Sequence, residues 1–216
     1  MPLYKSITVN PKTKVLIWKI EEPVKPLLNK IKLTQNSKNR IASMKSVLHQ
    51  KGYLSIRHLL ALEGYSDFDL YYDRNGKPYL TDGKHISITH SFIFSAIIIS
   101  DLEVGIDIEK QRDKIITIAP KFTPLKEYLC IASQKERIRK LTVVWCAKES
   151  LYKSFAIKGI SFLKNIYVED FNLENKKTTA LVEYSGKKKN YNISFIEFEG
   201  FTCAYVVIKK ENMMKP

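Results

Sequence analysis

Two short stretches of this chain space acidic and basic side chains so that they can hold a polyanion and a hard cation. In Gly105-Ile106-Asp107-Ile108-Glu109, isoleucines alternate with acids. On a strand, residues two apart face the same side, so Asp107 and Glu109 point together and Ile106 and Ile108 turn towards a core. Two carboxylates on one face suit magnesium, which takes one or two protein carboxylates, several waters and phosphate oxygens; manganese accepts the same oxygen donors. An exposed strand face carrying ordinary acids satisfies the same pattern. In Trp145-Cys146-Ala147-Lys148-Glu149-Ser150-Leu151-Tyr152-Lys153, Glu149 and Lys153 are neighbours at i and i+4 on one helix face, with Trp145 one turn earlier. A surface Glu-Lys pair explains that spacing too. The stretch is otherwise apolar, however, and a half-buried carboxylate there can serve as a third metal ligand or as a base. An ammonium beside it suits a diphosphate.

Two further groups are weaker. Thr89-His90-Ser91 sets a histidine between two hydroxyls in a strongly β-forming block, an arrangement that can bind phosphate or be no more than a hydrogen-bonded histidine in a sheet. His49, His58 and His85 have no comparable neighbours and are given no role. Asn75-Gly76-Lys77-Pro78 reads first as a turn. Cys130, Cys146 and Cys203 are odd in number and widely spaced, with no CxxC pair, which argues against a disulfide scaffold or a cysteine zinc site. Without a sequence-adjacent histidine, Cys146 reads as a packing residue.

The elements that position these residues follow from periodicity. Val15 to Ile20 reads as a strand, and residues 27–63 as helical, with Gly52 at the boundary between a pair of helices and Gly64 ending the second. Tyr71 to Leu80 reads as strand, loop, strand, and His85 to Ile99 as two strands with a bend near Thr89-His90-Ser91. A strand over Val104 to Ile108 precedes two helices. One starts near Ile115 and continues past Pro120 and Phe122; the other runs from Arg137 to Phe155 and is closed by Gly159. The segments Tyr167-Val168, Thr179 to Tyr184, Tyr191 to Phe198 and Phe201 to Ile208 form an antiparallel sheet, with Lys187, Lys188 and Lys189 in a solvated turn. The order strand, helices, sheet therefore occurs twice, before and after about residue 103. This predicts an α+β fold of two similar halves, 1–103 and 104–216, each an antiparallel sheet packed with helices.

Composition narrows the function. Of 216 residues, 44% are hydrophobic and 27% charged, which excludes a chain disordered throughout. No apolar run approaches the ~20 residues of a spanning helix, and the N-terminus has no signal-peptide pattern, so the expectation is a cytoplasmic protein with no membrane role. A net charge of +14 favours polyanionic partners such as nucleic acid, a phosphorylated ligand or an acidic protein.

In order and spacing, NGKPYL, ISITHS, VGIDIE and WCAKESLYKSFAIKG resemble the successive motifs of the 4′-phosphopantetheinyl transferases of the surfactin-synthetase-activating type. The likeness is good over about residues 70–165 and extends to APKFTPLKEYL, with Phe122 and Glu127. It implies a pseudo-twofold duplication with the site between the halves. Asp107, Glu109 and Glu149 would bind Mg²⁺ with the diphosphate of coenzyme A, and Glu149 would act as, or orient, the base for a serine hydroxyl on a carrier protein. Lys153, with Lys148 close by, would neutralise the diphosphate. Thr89 and His90 would meet the phosphates of the adenosine end, and Gly76, Lys77 and Pro78 would line the adenine pocket. Arg57 matches an arginine of the family's first half, and Lys30, Lys32, Lys38 and Arg40 are equivalent candidates for the 3′-phosphate. Thr89 stands where the family often has serine and keeps the hydroxyl. The implied partner is an acidic acyl or peptidyl carrier protein, the implied product 3′,5′-ADP and the implied state a monomer. An inactive coenzyme A or carrier-protein binder, and a basic nucleic-acid-binding domain, are the alternatives.

Overall fold

The computed structural model describes residues 3–124, 128, 131, 133–157 and 159–209. Glu127 and Cys130 lie outside the described residues. The chain divides into two compact units, Met1–Asp101 and Leu102–Pro216.

The first unit opens with a hairpin of β1 (Leu3–Asn10) and β2 (Thr13–Lys19). Helices α1 (Val24–Asn29), α2 (Gln35–Ser43) and α3 (Val47–Leu62) follow, then β3 (Leu70–Tyr72), β4 (Pro78–Leu80), β5 (His85–Ser91) and β6 (Phe94–Ser100). The strands form one antiparallel sheet in the order β1-β2-β6-β5-β4-β3. Leu54, Leu59 and Leu60 of α3 share a core with Leu16, Trp18, Ile97 and Ile99 from one face of that sheet.

The apolar periodicity over residues 27–63 is divided among three helices by their caps. Thr34 accepts from the Ser37 N–H and Ser46 from the His49 N–H, each satisfying a donor that a helix start leaves open. Gly52 is not the helix boundary that the sequence suggested; it lies inside α3, where a Cβ would stand 2.6 Å from Cδ2 of His90. A side chain at this position would have to displace the His90 ring. The bend in the β5–β6 region falls at Phe92-Ile93, just after the Thr89-His90-Ser91 triplet.

Arg57 and Asp67 form a buried ion pair at 2.9 Å, with side chains 3% and 2% exposed. Asp67 also accepts from the Thr34 N–H, the Thr34 hydroxyl and Ser37, and the guanidinium lies 3.5 Å from the centre of the Tyr53 ring. Burial opposes ionisation of Asp67, but the bonds from Ser37, Thr34 and Arg57 outweigh it and hold the carboxyl below its ordinary value. Arg57→Met is therefore expected to cost roughly 3–5 kcal/mol by leaving a buried charge uncompensated, read as a shift in the urea midpoint. Wild-type stability in that variant would contradict this account.

The second unit runs β7 (Glu103–Lys110), α4 (Lys114–Ile118), a 3-10 turn at Ala119–Lys121, α5 (Gln134–Phe155), α6 (Phe162–Asn165), β8 (Ile166–Val168), β9 (Lys177–Tyr184), β10 (Lys187–Phe198) and β11 (Phe201–Ile208). The sheet is antiparallel in the order β7-β11-β10-β9-β8. The first helix stops at Ile118 and does not continue past Pro120: that residue permits a tight turn but supplies no N–H for a longer helix. α5 begins at Gln134, three residues before the sequence suggested, because Ser133 accepts from the Glu136 N–H. It ends at Ala156, in the left-handed region at φ 52, ahead of Gly159. Lys187, Lys188 and Lys189 belong to β10, with Lys188 paired to Glu183 across the hairpin; the turn is Ser185-Gly186.

Both units are α+β and share one connectivity. An opening strand leads to helices and then to four antiparallel strands, and the opening strand pairs with the last: β2 with β6, and β7 with β11. The duplication expected from the sequence is present at this level, with β1 added in the first unit. Among the described residues, no helix is long and apolar enough to cross a membrane.

Candidate active site

The centre of the second unit is the contact of α5 with β7. Gly105 lies directly beneath the helix: a Cβ there would stand 1.8 Å from the Ser150 carbonyl oxygen. The helix presents small residues at this approach. Ser150 and Ser154 are buried and return their hydroxyls to the carbonyls of Ala147 and Leu151 of the same helix. Glycine on the strand and serines on the helix thus bring the backbones close enough for side chains on either side to meet.

Strand alternation puts Asp107 and Glu109 on the Gly105 face, under α5. Asp107 is opposite Ala204 of β11, and Ala204 belongs to the core beneath α5. The sequence pattern places the isoleucines towards the core and the acids away; here the acids share the helix-covered face, and Ile106 and Ile108 are buried on the other. Asp107 is only 5% exposed, which removes the reading of ordinary surface acids.

From α5, Lys153 donates to Asp107 Oδ1 at 2.7 Å and to the Ile106 carbonyl at 3.1 Å. The second Asp107 oxygen, Oδ2, is buried as well. Burial alone would lower the Lys153 ammonium, but Asp107 and Glu149 raise it above its ordinary value, so the side chain is charged. Glu149 is pushed up to about 7, first by burial and then by the charges of Asp107 and Glu109, with Lys153 opposing. Cys146 is a buried thiol that burial and the same two acids drive well above its ordinary range, which keeps it protonated and unreactive.

The raised carboxyl has a thermodynamic signature. Its folded value, about 7, lies above the ordinary 4.5, so folding takes up a proton between these limits. The contribution of Glu149 is fully present below the lower value and is lost as pH rises through the upper one. Allowing for partial exposure, ionised Glu149 costs roughly 1–2 kcal/mol at neutral pH in the metal-free protein. Glu149→Gln is expected to remove that fall from urea unfolding curves taken between about pH 5 and about pH 7. An identical pH slope in wild type and variant would contradict the assignment.

Three residues expected at the ligand are buried within their units. Lys148 is 1% exposed, and its ammonium donates to the carbonyls of Phe122 and Phe162. There it ties two segments whose rings pack on Trp145, at 5.0 and 5.6 Å between centroids, and it does not accompany Lys153. Arg57 is committed to Asp67 and Tyr53. Thr89 is buried on the face of β5 opposite His90, so the two side chains cannot grip one phosphate from the same side.

The remaining residues of the first unit are accessible. His90 is exposed, lies over Gly52 and meets His49 edge to face at 6.0 Å. His49, distant in sequence, was given no role; only the α3–β5 packing reveals it. Gly76 takes φ +83 in a turn tied by Asp73, whose carboxylate accepts from the Asn75 and Lys77 N–H groups. Pro78 opens β4, and the turn carries a stacked Tyr71–Tyr79 pair at 5.6 Å with the Lys77 ammonium 5.9 Å from the Tyr79 ring. Tyr79 pairs with His85 at the start of β5, leaving His90 roughly 17 Å along the strand.

The second unit thus sets an acidic strand under a helix bearing Glu149 and Lys153. Residues 103–206 match the sequence profile of the 4′-phosphopantetheinyl transferase superfamily. The chain is also similar to the 4′-phosphopantetheinyl transferase gsp of Aneurinibacillus migulanus, 31% identical over 132 residues, which are 60% of this chain and 54% of that protein. It thus spans about half the length of that curated relative. A solved structure, the holo-[acyl-carrier-protein] synthase of Thermotoga maritima, covers 50% of this chain and 64% of its own at 20% identity, with a TM-score of 0.32.

Whether the acids fit a divalent cation is answered by their chemistry. Asp107, Glu109 and Glu149 are an all-oxygen set, and the charges of the first two raise the third. Among the described residues, no three His, Cys, Asp or Glu side chains are gathered into a ready ligating group. The cation compensating Asp107 is Lys153. The donor types fit Mg²⁺ or Mn²⁺, with side-chain adjustment needed to close around it.

Proposed function

We propose that this protein transfers the 4′-phosphopantetheine group of coenzyme A to a serine of an apo acyl or peptidyl carrier protein and releases 3′,5′-ADP. The observation that carries this reading is the Asp107–Lys153 pair with Glu149 beside it, held within the segment that matches the transferase superfamily profile. A divalent cation held by Asp107, Glu109 and Glu149 would supply neutralisation of the diphosphate charge. Glu149 takes the serine proton directly or through a water that it orients. The serine oxygen forms a bond to the β-phosphorus while the bond from that phosphorus to the bridging oxygen breaks, and the electron pair leaves with 3′,5′-ADP. Lys153 meets the negative charge that develops on the leaving side.

His90, Gly76, Lys77 and Pro78 are the first-unit residues assigned to the adenosine end; Lys148 and Arg57 hold internal partners in the unliganded protein, and Thr89 is buried. The +14 net charge suits steering of an acidic carrier, an effect on association rate more than on affinity. Intact-protein mass spectrometry of apo carrier proteins incubated with the protein, coenzyme A and Mg²⁺ tests the reading. The expected result is a gain of one phosphopantetheinyl group that EDTA prevents. Coenzyme A binding with no carrier modified would favour the inactive-binder alternative.

A further inference from the structure

We propose that Lys153 is an exchangeable internal cation: it neutralises Asp107 in the unliganded protein, and metal binding hands it over to the diphosphate. The inference rests on the reading above that the site takes both a divalent cation and coenzyme A. Its starting point is geometric. The ammonium sits 2.7 Å from Asp107 Oδ1 and 3.1 Å from the Ile106 carbonyl, one turn along α5 from Glu149. Asp107 is in direct contact with this ammonium and Glu149 acts on it electrostatically, and among the described residues no three His, Cys, Asp or Glu side chains converge as a ligating group.

A divalent cation bound to Asp107 would stand within a few Å of the ammonium, where like charges repel strongly even with solvent screening. The two occupants therefore compete for one carboxylate. Lysine suits such an exchange because its charge is a point on a flexible four-carbon stem. Its side chain is 29% exposed, against 7% for Asp107, so a path outward is open to the lysine and not to the acid. The backbone cannot adjust instead, because the Gly105–Ser150 contact fixes α5 on β7.

The consequence is coupling. A cation arriving alone must evict Lys153 with no new anion to receive it; a cation arriving with coenzyme A gives the ammonium a diphosphate. Cation affinity in the absence of coenzyme A is thereby suppressed and cooperativity raised, equally in both directions.

The test is Mn²⁺ binding, read from the free-ion electron paramagnetic resonance signal, for wild type, Lys153→Met and Lys153→Gln, each with and without coenzyme A. Without coenzyme A, both variants are expected to bind Mn²⁺ about tenfold or more tightly than wild type. The tightening produced by coenzyme A is expected to be largest in wild type. Equal Mn²⁺ affinity in wild type and variants without coenzyme A overturns the exchange and leaves the metal site standing. No Mn²⁺ binding by any form, with or without coenzyme A, overturns the metal reading as well. If the variants fail to fold, the Lys153 ammonium resonance of wild type decides: movement on adding Mg²⁺ and coenzyme A supports the exchange, and an unmoved resonance overturns it.

Discussion

Asparagine at position 107 is expected to lower phosphopantetheine transfer by about a thousandfold or more while the fold persists. Asp107 is the acid in direct contact with Lys153, and its charge helps to set Glu149 near neutrality. Asp107→Asn preserves shape but removes a negative charge from the proposed cation site, the counter-charge of Lys153 and some of the field on Glu149. The stability cost is smaller, roughly 1–3 kcal/mol, because the partly exposed ammonium of Lys153 can reach water. Steady-state transfer assays with a urea unfolding curve separate the two effects. Activity within tenfold of wild type would remove Asp107 from the site.

The second large effect needs no change of charge. In Gly105→Ala the new methyl would lie 1.8 Å from a backbone carbonyl, an atom that cannot rotate aside. Either α5 lifts from β7 or β7 bends, and both separate Asp107 from Lys153. A loss of roughly 3–5 kcal/mol is expected, from overpacking at a backbone contact, together with loss of transfer. Near wild-type stability in urea would show that α5 has slack at this point and that the clamp is not what positions the site.

What the sequence made legible is what local spacing encodes. The i, i+4 relation of Glu149 and Lys153 and the alternation of Asp107 with Glu109 are properties of single elements, and both are present in the structure. Which side of β7 the helix covers is a tertiary fact. The sequence pattern GIDIE suggests that isoleucines line the core, yet Gly105, the residue with no side chain, marks the face on which α5 lies. Lys148 and Lys153 share a motif and a charge, but their ammonium groups have separate uses: one meets the carbonyls of Phe122 and Phe162, the other Asp107. Arg57 matched a motif position and belongs to a buried pair with Asp67, a partner that α3 meets only through the loop after it. The repeat of connectivity was visible as strand, helices and sheet occurring twice, whereas β1 went unread because Lys5 interrupts the apolar alternation of Leu3, Ile7 and Val9. Gly52 was read by its helix-breaking habit, but its place in α3 is set by the His90 ring.

Release of 3′,5′-ADP during a single turnover, with the carrier protein digested and its serine peptide identified by mass, tests the central claim most directly. One 3′,5′-ADP per phosphopantetheinylated serine, dependent on Mg²⁺ and lost in Asp107→Asn, is the result predicted. A folded protein that binds coenzyme A and Mg²⁺ yet releases no 3′,5′-ADP and leaves the serine of every apo carrier unmodified would contradict it.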